Sequence, residues 1–392
     1  MALREFIEQE IRERGPIPFS RYMELCLYGP GEEGQPTGYY AQAREQFGKA
    51  GDFYTSSDVH AVFGRLLARQ FDQMWRLLGS PSRLTLIELG PGRGLFAQDV
   101  FDWSQQKFPE FFSALRYVLV ETSPTLRSRL QQRFRDQIAN GRVAVYSALS
   151  NLEREDLCCF VVFANEFFDA LPVEVLDYRG ELRIGIEDGQ FVERFVPASA
   201  EVVDFADRFA IHPEDNERVE VSLVAQRLFA ELARLLQKPQ APPPRGFLIF
   251  IDYGYLRDQM LAGRHRGTVN CFRRHTLART PYDAPGEQDI TAHVNFTALA
   301  SAARRLGIDP LALITQSQFL MGIGEQTQFG DVFESCRLPQ EQTKVALQLK
   351  HLIAPEGMGE SFQVLLLARG IEKETTARLS GLAFVRPADV KI

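Results

Sequence analysis

Leu84-Thr-Leu-Ile-Glu-Leu-Gly-Pro-Gly-Arg-Gly94 is an apolar run that ends in an acid and then in three glycines at alternate positions. A run of this kind, bounded by glycines, predicts a buried strand that turns sharply into a helix. Glycine tolerates dihedrals closed to other residues and lets a ligand approach the backbone with no Cβ between them. A dinucleotide fingerprint would need G-x-G-x-x-G and would seat a pyrophosphate at the helix N-terminus. Here Gly94 comes one position early, and Leu95 holds the fingerprint's last slot. Glu88, two residues before Gly90, would also set a negative charge beside any phosphate. A cationic, phosphate-free ligand fits the loop better, and S-adenosylmethionine, with its sulfonium and ammonium groups, is such a ligand. Glu88, Gly90, Pro91, Gly92 and Gly94 are therefore expected to line a cofactor site, and a nicotinamide-dependent reductase is disfavoured.

A second acid points the same way. Leu115-Arg-Tyr-Val-Leu-Val-Glu121 reads as the next buried strand, again ending in a carboxylate. In a nucleotide-binding α/β unit, an acid at the tip of the second strand accepts hydrogen bonds from the ribose hydroxyls. The alternative is that Glu121 only caps the following helix beside Ser123 and Pro124.

Length and composition bound the rest. A chain of 392 residues forms one large domain or two modest ones, and its 45% hydrophobic and 24% charged content suits a globular protein. A formal charge of −7 argues against a nucleic-acid partner held by phosphate contacts. The five cysteines, Cys26, Cys158, Cys159, Cys271 and Cys336, are odd in number and form no C-x-x-C pair, which predicts free thiols in a reducing compartment. The six histidines show no ligand spacing, so no metal site is expected. No apolar stretch approaches the roughly 18 residues that span a bilayer. The N-terminus alternates charge, has no signal-like apolar core and is rich in acids, so neither a secretory signal nor a transit peptide is expected. These features predict a cytoplasmic protein with no membrane partner.

Along the chain, apolar spacing predicts helices over 3–14, from Phe19 to Leu27, and from Val59 to Leu78. Residues 1–80 are thus expected to form a helical, loop-rich N-terminal cap. From residue 83 the pattern becomes strand, helix, strand, the signature of a parallel sheet. Strands are expected at Leu84–Leu89, Tyr117–Glu121, Val143–Tyr146, Cys159–Ala164 and Phe247–Asp252, with two more at Leu311–Thr315 and Phe362–Ala368. The stretch between Ala164 and Phe247 is too long for a simple connection. Within it, Pro172–Val196 reads as short strands with turns at Arg179-Gly180 and Asp188-Gly189, and Ser222–Leu236 as an amphipathic helix. The expected division is a cap over 1–80, a core over 81–171 and 213–392, and a small β-rich insertion over 172–212.

Several further segments, in order, give the chain a resemblance. They are Gly15-Pro-Ile-Pro-Phe-Ser-Arg-Tyr-Met-Glu-Leu-Cys-Leu-Tyr28, Gly38-Tyr39-Tyr40, Gly51-Asp-Phe-Tyr-Thr-Ser-Ser-Asp58, Phe63-Gly64 and the loop Glu88–Gly94. Asn165-Glu-Phe-Phe-Asp-Ala-Leu-Pro172 is the most distinctive, and Ile251-Asp-Tyr-Gly-Tyr255 and Asp289-Ile-Thr-Ala-His-Val-Asn-Phe-Thr-Ala-Leu299 complete the set. With them the chain resembles, over nearly its whole length, the MidA-like class I methyltransferases, which include the mitochondrial complex I assembly methyltransferase. It departs from that pattern at Ser57 (commonly proline), at Asn295 (commonly aspartate), and in a Pro-rich run where a pair of glycines is usual. The resemblance implies an α/β fold, a class I methyltransferase Rossmann-like sheet, mostly parallel with an antiparallel last strand. It also implies S-adenosylmethionine as cofactor and a protein arginine acceptor, in a respiratory-chain subunit or another assembly partner. The alternatives are a small-molecule methyltransferase and an assembly factor that binds the cofactor without catalysis.

A guanidinium acceptor stays protonated at ordinary pH, so carboxylates must orient it and take a proton as the new bond forms. Asn165, Glu166 and Asp169 follow an apolar strand directly and are the catalytic candidates, at the sheet edge where ligands bind in such folds. If a helix begins near Glu166, the two acids share one face; the alternative to a catalytic role is that they only favour that helix's N-terminus. The family match makes Thr55 and Ser56 candidates for closing over the cofactor. Asp252 and Tyr253 end the fifth strand and are expected to line the acceptor pocket. His293 is a candidate base there, although a structural role suits a lone histidine better.

Overall fold

The computed structural model describes residues 2–30, 38–42, 61–237, 242–260, 265–273, 276–334 and 336–386. The chain divides into two compact units: Met1–Tyr54 with Phe167–Phe229 and Gly254–Leu299, and Thr55–Glu166 with Ala230–Tyr253 and Ala300–Ile392.

The second unit holds the main sheet. Its strands are β1 (Leu84–Leu89), β2 (Leu115–Val120), β3 (Val143–Tyr146), β4 (Cys159–Asn165), β5 (Arg245–Tyr255), β6 (Asp309–Thr315) and β7 (Phe362–Arg369). Their spatial order is β6-β7-β5-β4-β1-β2-β3. All pairs are parallel except those of β7, which runs antiparallel to both β5 and β6. This is the mostly parallel sheet with an antiparallel last strand that the resemblance implies. β1 is buried at every position, because helices cover both faces of such a sheet and no alternation survives.

Helix α1 (Ala61–Leu77) packs beside helix α2 (Leu95–Lys107), which follows the glycine loop. Gly64 permits the approach: a Cβ there would lie 2.6 Å from the Asp99 Cβ. Phe96 of α2 stacks on Phe163 of β4 with ring centroids 4.4 Å apart, and Phe63 lies 5.6 Å from Phe96. These aromatic contacts fix the start of α2, and with it the glycine loop, against the sheet centre.

The first unit is built on a five-stranded antiparallel sheet formed by Ile17–Pro18, Glu174–Asp177, Gly180–Glu187, Gln190–Val196 and Val219–Val221. The turn expected at Asp188-Gly189 is a two-residue hairpin loop with both residues at positive φ, 47° and 74°. Ile17 pairs with Ile184, so the N-terminal segment adds a strand to the hairpin. Helices Leu3–Arg14 and Phe19–Tyr28 bury Ile7, Tyr22, Met23 and Leu25 in the same core as Val175 and Ile184.

These pairings correct the expected division. The cap over 1–80 does not stand alone: its first two helices share a core with the segment taken as an insertion, whereas α1 belongs to the sheet unit. Besides its strands, the segment 172–212 carries a helix over Ala200–Phe209 that Ser199 caps. Residues 254–299, assigned above to the core, belong to the first unit. Among the described residues no helix is long and apolar enough to cross a membrane.

Candidate functional site

The chain crosses from β1 to α2 through Gly90, Pro91, Gly92 and Gly94. All three glycines sit at positive φ (64°, 53° and 73°), a region other residues enter at a cost. The Gly90 N–H donates to Val120 O (3.0 Å) and the Gly94 N–H to Pro91 O (2.8 Å), which folds the loop over the ends of β1 and β2. Helix α2 starts at Gly94 with no side-chain cap. Its first N–H groups are therefore open to a carboxylate such as the one an amino-acid cofactor carries.

Glu88 and Glu121 are both buried at these strand ends. Glu88 accepts a hydrogen bond from the Tyr117 hydroxyl at 2.7 Å. Burial pushes its pKa up to about 8; the tyrosine bond lowers it, and the nearby charge of Glu121 raises it. Glu121 is raised by burial to about 7, against the N–H groups of Ser123 and Gly92 that donate to it and the charge of Arg127. The Ser123 bond is 2.8 Å long, and Ser123 Oγ in turn caps α3 (Pro124–Arg133) at Leu126 N. Glu121 therefore braces the turn into α3 and ties that turn to the glycine loop, the structural role weighed against ribose binding. A carboxylate offers about four lone-pair directions, and the N–H groups of Ser123, Gly92 and Thr122 take three, so acceptor capacity remains for one ribose hydroxyl.

These residues fit S-adenosylmethionine. Two buried acids held above the ordinary carboxylate range, with Arg127 acting on Glu121 alone, favour a ligand that brings cations. Tyr117 is the residue that sequence reasoning missed. Its signal was a tyrosine inside an otherwise apolar strand, where a buried hydroxyl must find a partner.

At the end of β4, Asn165 pairs with Ile251 of β5, and the Glu166 N–H donates to Ile251 O at 2.9 Å. Asn165 Nδ2 donates to Glu166 Oε1 at 3.0 Å. No helix begins at Glu166, whose backbone turns away at φ 50°. The condition for Glu166 and Asp169 to share a helical face is thus not met, because the chain leaves β4 through a left-handed residue. Asp252 and Tyr253 continue β5 past Ile251. The Asp252 carboxylate accepts the Tyr253 N–H (2.9 Å), and the Tyr253 ring lies 3.9 Å from that of Phe362. One sheet edge therefore carries Glu88, Glu121, Asn165, Glu166, Asp252 and Tyr253.

Asp169 and His293 lie in the first unit. Asp169 is buried there; its carbonyl accepts the Ala292 N–H (2.9 Å), and its charge acts on Tyr40, which donates to Asp289 (2.7 Å). The His293 N–H donates to Thr268 Oγ1 at 3.0 Å. Tyr39 is core, and its partly buried neighbour Tyr40 packs against it with ring centroids 5.2 Å apart. Asn295 donates to Phe209 O (2.8 Å) and accepts from Ala298 N (3.0 Å), a pair of roles an aspartate could not fill. Thr55 and Ser56 fall outside the described residues. Among those described, no group of His, Cys, Asp and Glu could hold a metal ion.

The profile of a family of S-adenosyl-L-methionine-dependent methyltransferases matches residues 66–314. The Drosophila melanogaster "Protein arginine methyltransferase NDUFAF7 homolog, mitochondrial" is 28% identical over 396 residues, covering 94% of this chain and 85% of that one. The Homo sapiens "Protein arginine methyltransferase NDUFAF7, mitochondrial" is 26% identical over 382 residues, covering 91% and 81%. A Burkholderia thailandensis protein crystallised with S-adenosyl-homocysteine bound superposes with a TM-score of 0.80 at 29% identity, over 98% of this chain and 96% of that one.

Proposed function

Because the chain belongs to the S-adenosyl-L-methionine-dependent methyltransferase family, we propose that it methylates arginine side chains of a protein partner, in a respiratory complex or another assembly. Two relatives that align over more than nine-tenths of the chain carry the name protein arginine methyltransferase, which supports this acceptor. The observation that carries the reading is the place of Glu166: a carboxylate at the tip of the central strand, on the edge that also bears the acids of the cofactor loop.

When bound, S-adenosylmethionine supplies an electrophilic methyl group on a sulfonium centre. Glu88, Glu121 and the glycine loop hold the charged nucleoside. The chain's remaining work is to place the acceptor nitrogen in line with that methyl, which is worth several kcal/mol of barrier when geometry alone supplies it. Glu166 pairs with the guanidinium, localises its charge and takes the proton that the nitrogen sheds. Asp252 and Tyr253 border the acceptor from β5. Asp169 and His293 have no part in this scheme.

We place the reaction in the cytoplasm, a reading that the five unpaired cysteines support. The test is mass spectrometry of methylated proteins from cells with and without the chain. An arginine methylation site that vanishes with the chain, and returns with the wild type but not with Gly92→Val, is the expected result. An unchanged arginine methylome would overturn it.

A further inference from the structure

Asn165 ends β4, which lies between β1 and β5. Its Nδ2 donates to Glu166 Oε1, and because a carboxylate only accepts, that bond settles which end of the amide is oxygen. The oxygen, Oδ1, is sealed from solvent and accepts no hydrogen bond from the described residues. The next residue, Glu166, holds a left-handed backbone at φ 50° while its N–H is tied to Ile251 O. An unpaired buried acceptor and a strained backbone each cost free energy, and strain of this kind gathers at functional sites. Here they fall on consecutive residues at the carboxyl edge of a parallel sheet.

We propose that Asn165 is a positioning residue whose Oδ1 accepts an N–H from the methyl-accepting nitrogen. The inference rests on the methyl-transfer reading above and narrows its acceptor. An amide oxygen takes up no proton at working pH, so Asn165 orients and Glu166 receives. The nitrogen's lone pair forms the new N–C bond, the electron pair of the broken S–C bond stays on sulfur, and the nitrogen's surplus proton goes to Glu166. Two acceptors side by side need two hydrogens on the incoming group. A hydroxyl or a thiol brings one and leaves Oδ1 unpaired, and sites built around a hydrogen bond reject analogues that lack it. The edge therefore selects nitrogen nucleophiles with at least two hydrogens.

The test follows the Asn165 side-chain amide by NMR in the 15N-labelled chain saturated with S-adenosylhomocysteine, the signal identified by its loss in Asn165→Asp. N-methylguanidinium should shift it, whereas tetramethylammonium, a cation without N–H, should not. No shift, or equal shifts with both, overturns the proposal. In parallel, labelled methyl is transferred to lysate proteins and the products are hydrolysed. Label on arginine supports both readings, and label on lysine supports this inference while removing the arginine reading. Label released by base as methanol from oxygen esters overturns the inference. Asn165→Ala should keep S-adenosylhomocysteine affinity within twofold and lower kcat 10- to 100-fold. A loss of that affinity instead would assign Asn165 to the cofactor and overturn the proposal.

Discussion

Tyr117 of β2 donates its hydroxyl hydrogen to Glu88 Oε2 of β1 across 2.7 Å, and both side chains are buried. Of the causes that act on Glu88, this bond is the one that favours its ionised form. Tyr117→Phe should therefore push the Glu88 pKa further up and cost about 1–2 kcal/mol of stability through the lost bond. It should also weaken S-adenosylmethionine binding at neutral pH, because less of Glu88 is charged. Denaturant unfolding and calorimetry check both effects, and an unchanged affinity would separate Glu88 from the cofactor.

Glu88 and Glu121, at about 8 and about 7, are only partly ionised at neutral pH in the ligand-free chain. A bound cation favours their charged forms. S-adenosylmethionine affinity should accordingly rise between about pH 6 and pH 8, with protons released on binding. Calorimetry in two buffers of different ionisation enthalpy measures that release; S-adenosylhomocysteine, which lacks the sulfonium charge, should release fewer.

Stability of the ligand-free chain should move the other way. Between the ordinary value of 4.5 and the folded values, the folded chain holds protons that the unfolded chain has lost. Unfolding free energy then falls as pH rises, by about 1.4 kcal/mol per pH unit for each fully titrating group. The contribution is complete below 4.5 and lost as pH passes 7 and 8. Glu88→Gln should flatten most of this slope in urea titrations across that range.

Glu121→Ala should weaken cofactor binding by about 1–3 kcal/mol, the worth of hydrogen bonds to a charged group. It also removes the acceptor of the Gly92 and Ser123 N–H groups. A ribose-free probe such as methionine should therefore lose less affinity than S-adenosylhomocysteine. Equal losses would mean that Glu121 only braces the loop.

The residues that announced themselves in the sequence are those whose roles are local. β1 and β3 run from Leu84 to Leu89 and from Val143 to Tyr146 as expected, because glycines or polar residues bound each apolar run. Glu88 and Glu121 were legible because an acid that ends an apolar strand has few structural uses. What escaped depends on contacts between residues distant in sequence. Nothing near Ile17 signals that it pairs with Ile184, so the cap and the insertion read as separate pieces. The positive φ of Glu166 escaped too, since Glu-Phe-Phe-Asp carries no glycine to flag a left-handed turn.

Gly94 and Gly141 hold nearly the same backbone, at φ 73° and 74°, in opposite surroundings. An added Cβ at Gly141 meets nothing within 4 Å, whereas at Gly94 it would lie 2.6 Å from Leu130 Cδ2 and 3.0 Å from Phe134 Cε2. Leu130 and Phe134 are buried, so neither can swing into solvent. Gly141→Ala should therefore cost only the left-handed strain, about 1–2 kcal/mol. Gly94→Ala should cost that strain and about 1–3 kcal/mol more for forcing atoms into a filled core. Because the added methyl would push the loop off the end of β1, Gly94→Ala should also lose S-adenosylhomocysteine affinity, while Gly141→Ala keeps it. Urea unfolding and calorimetry on the two variants test the argument together; equal stability losses, or equal affinities, would show that the packing of Gly94 against Leu130 does not hold the loop.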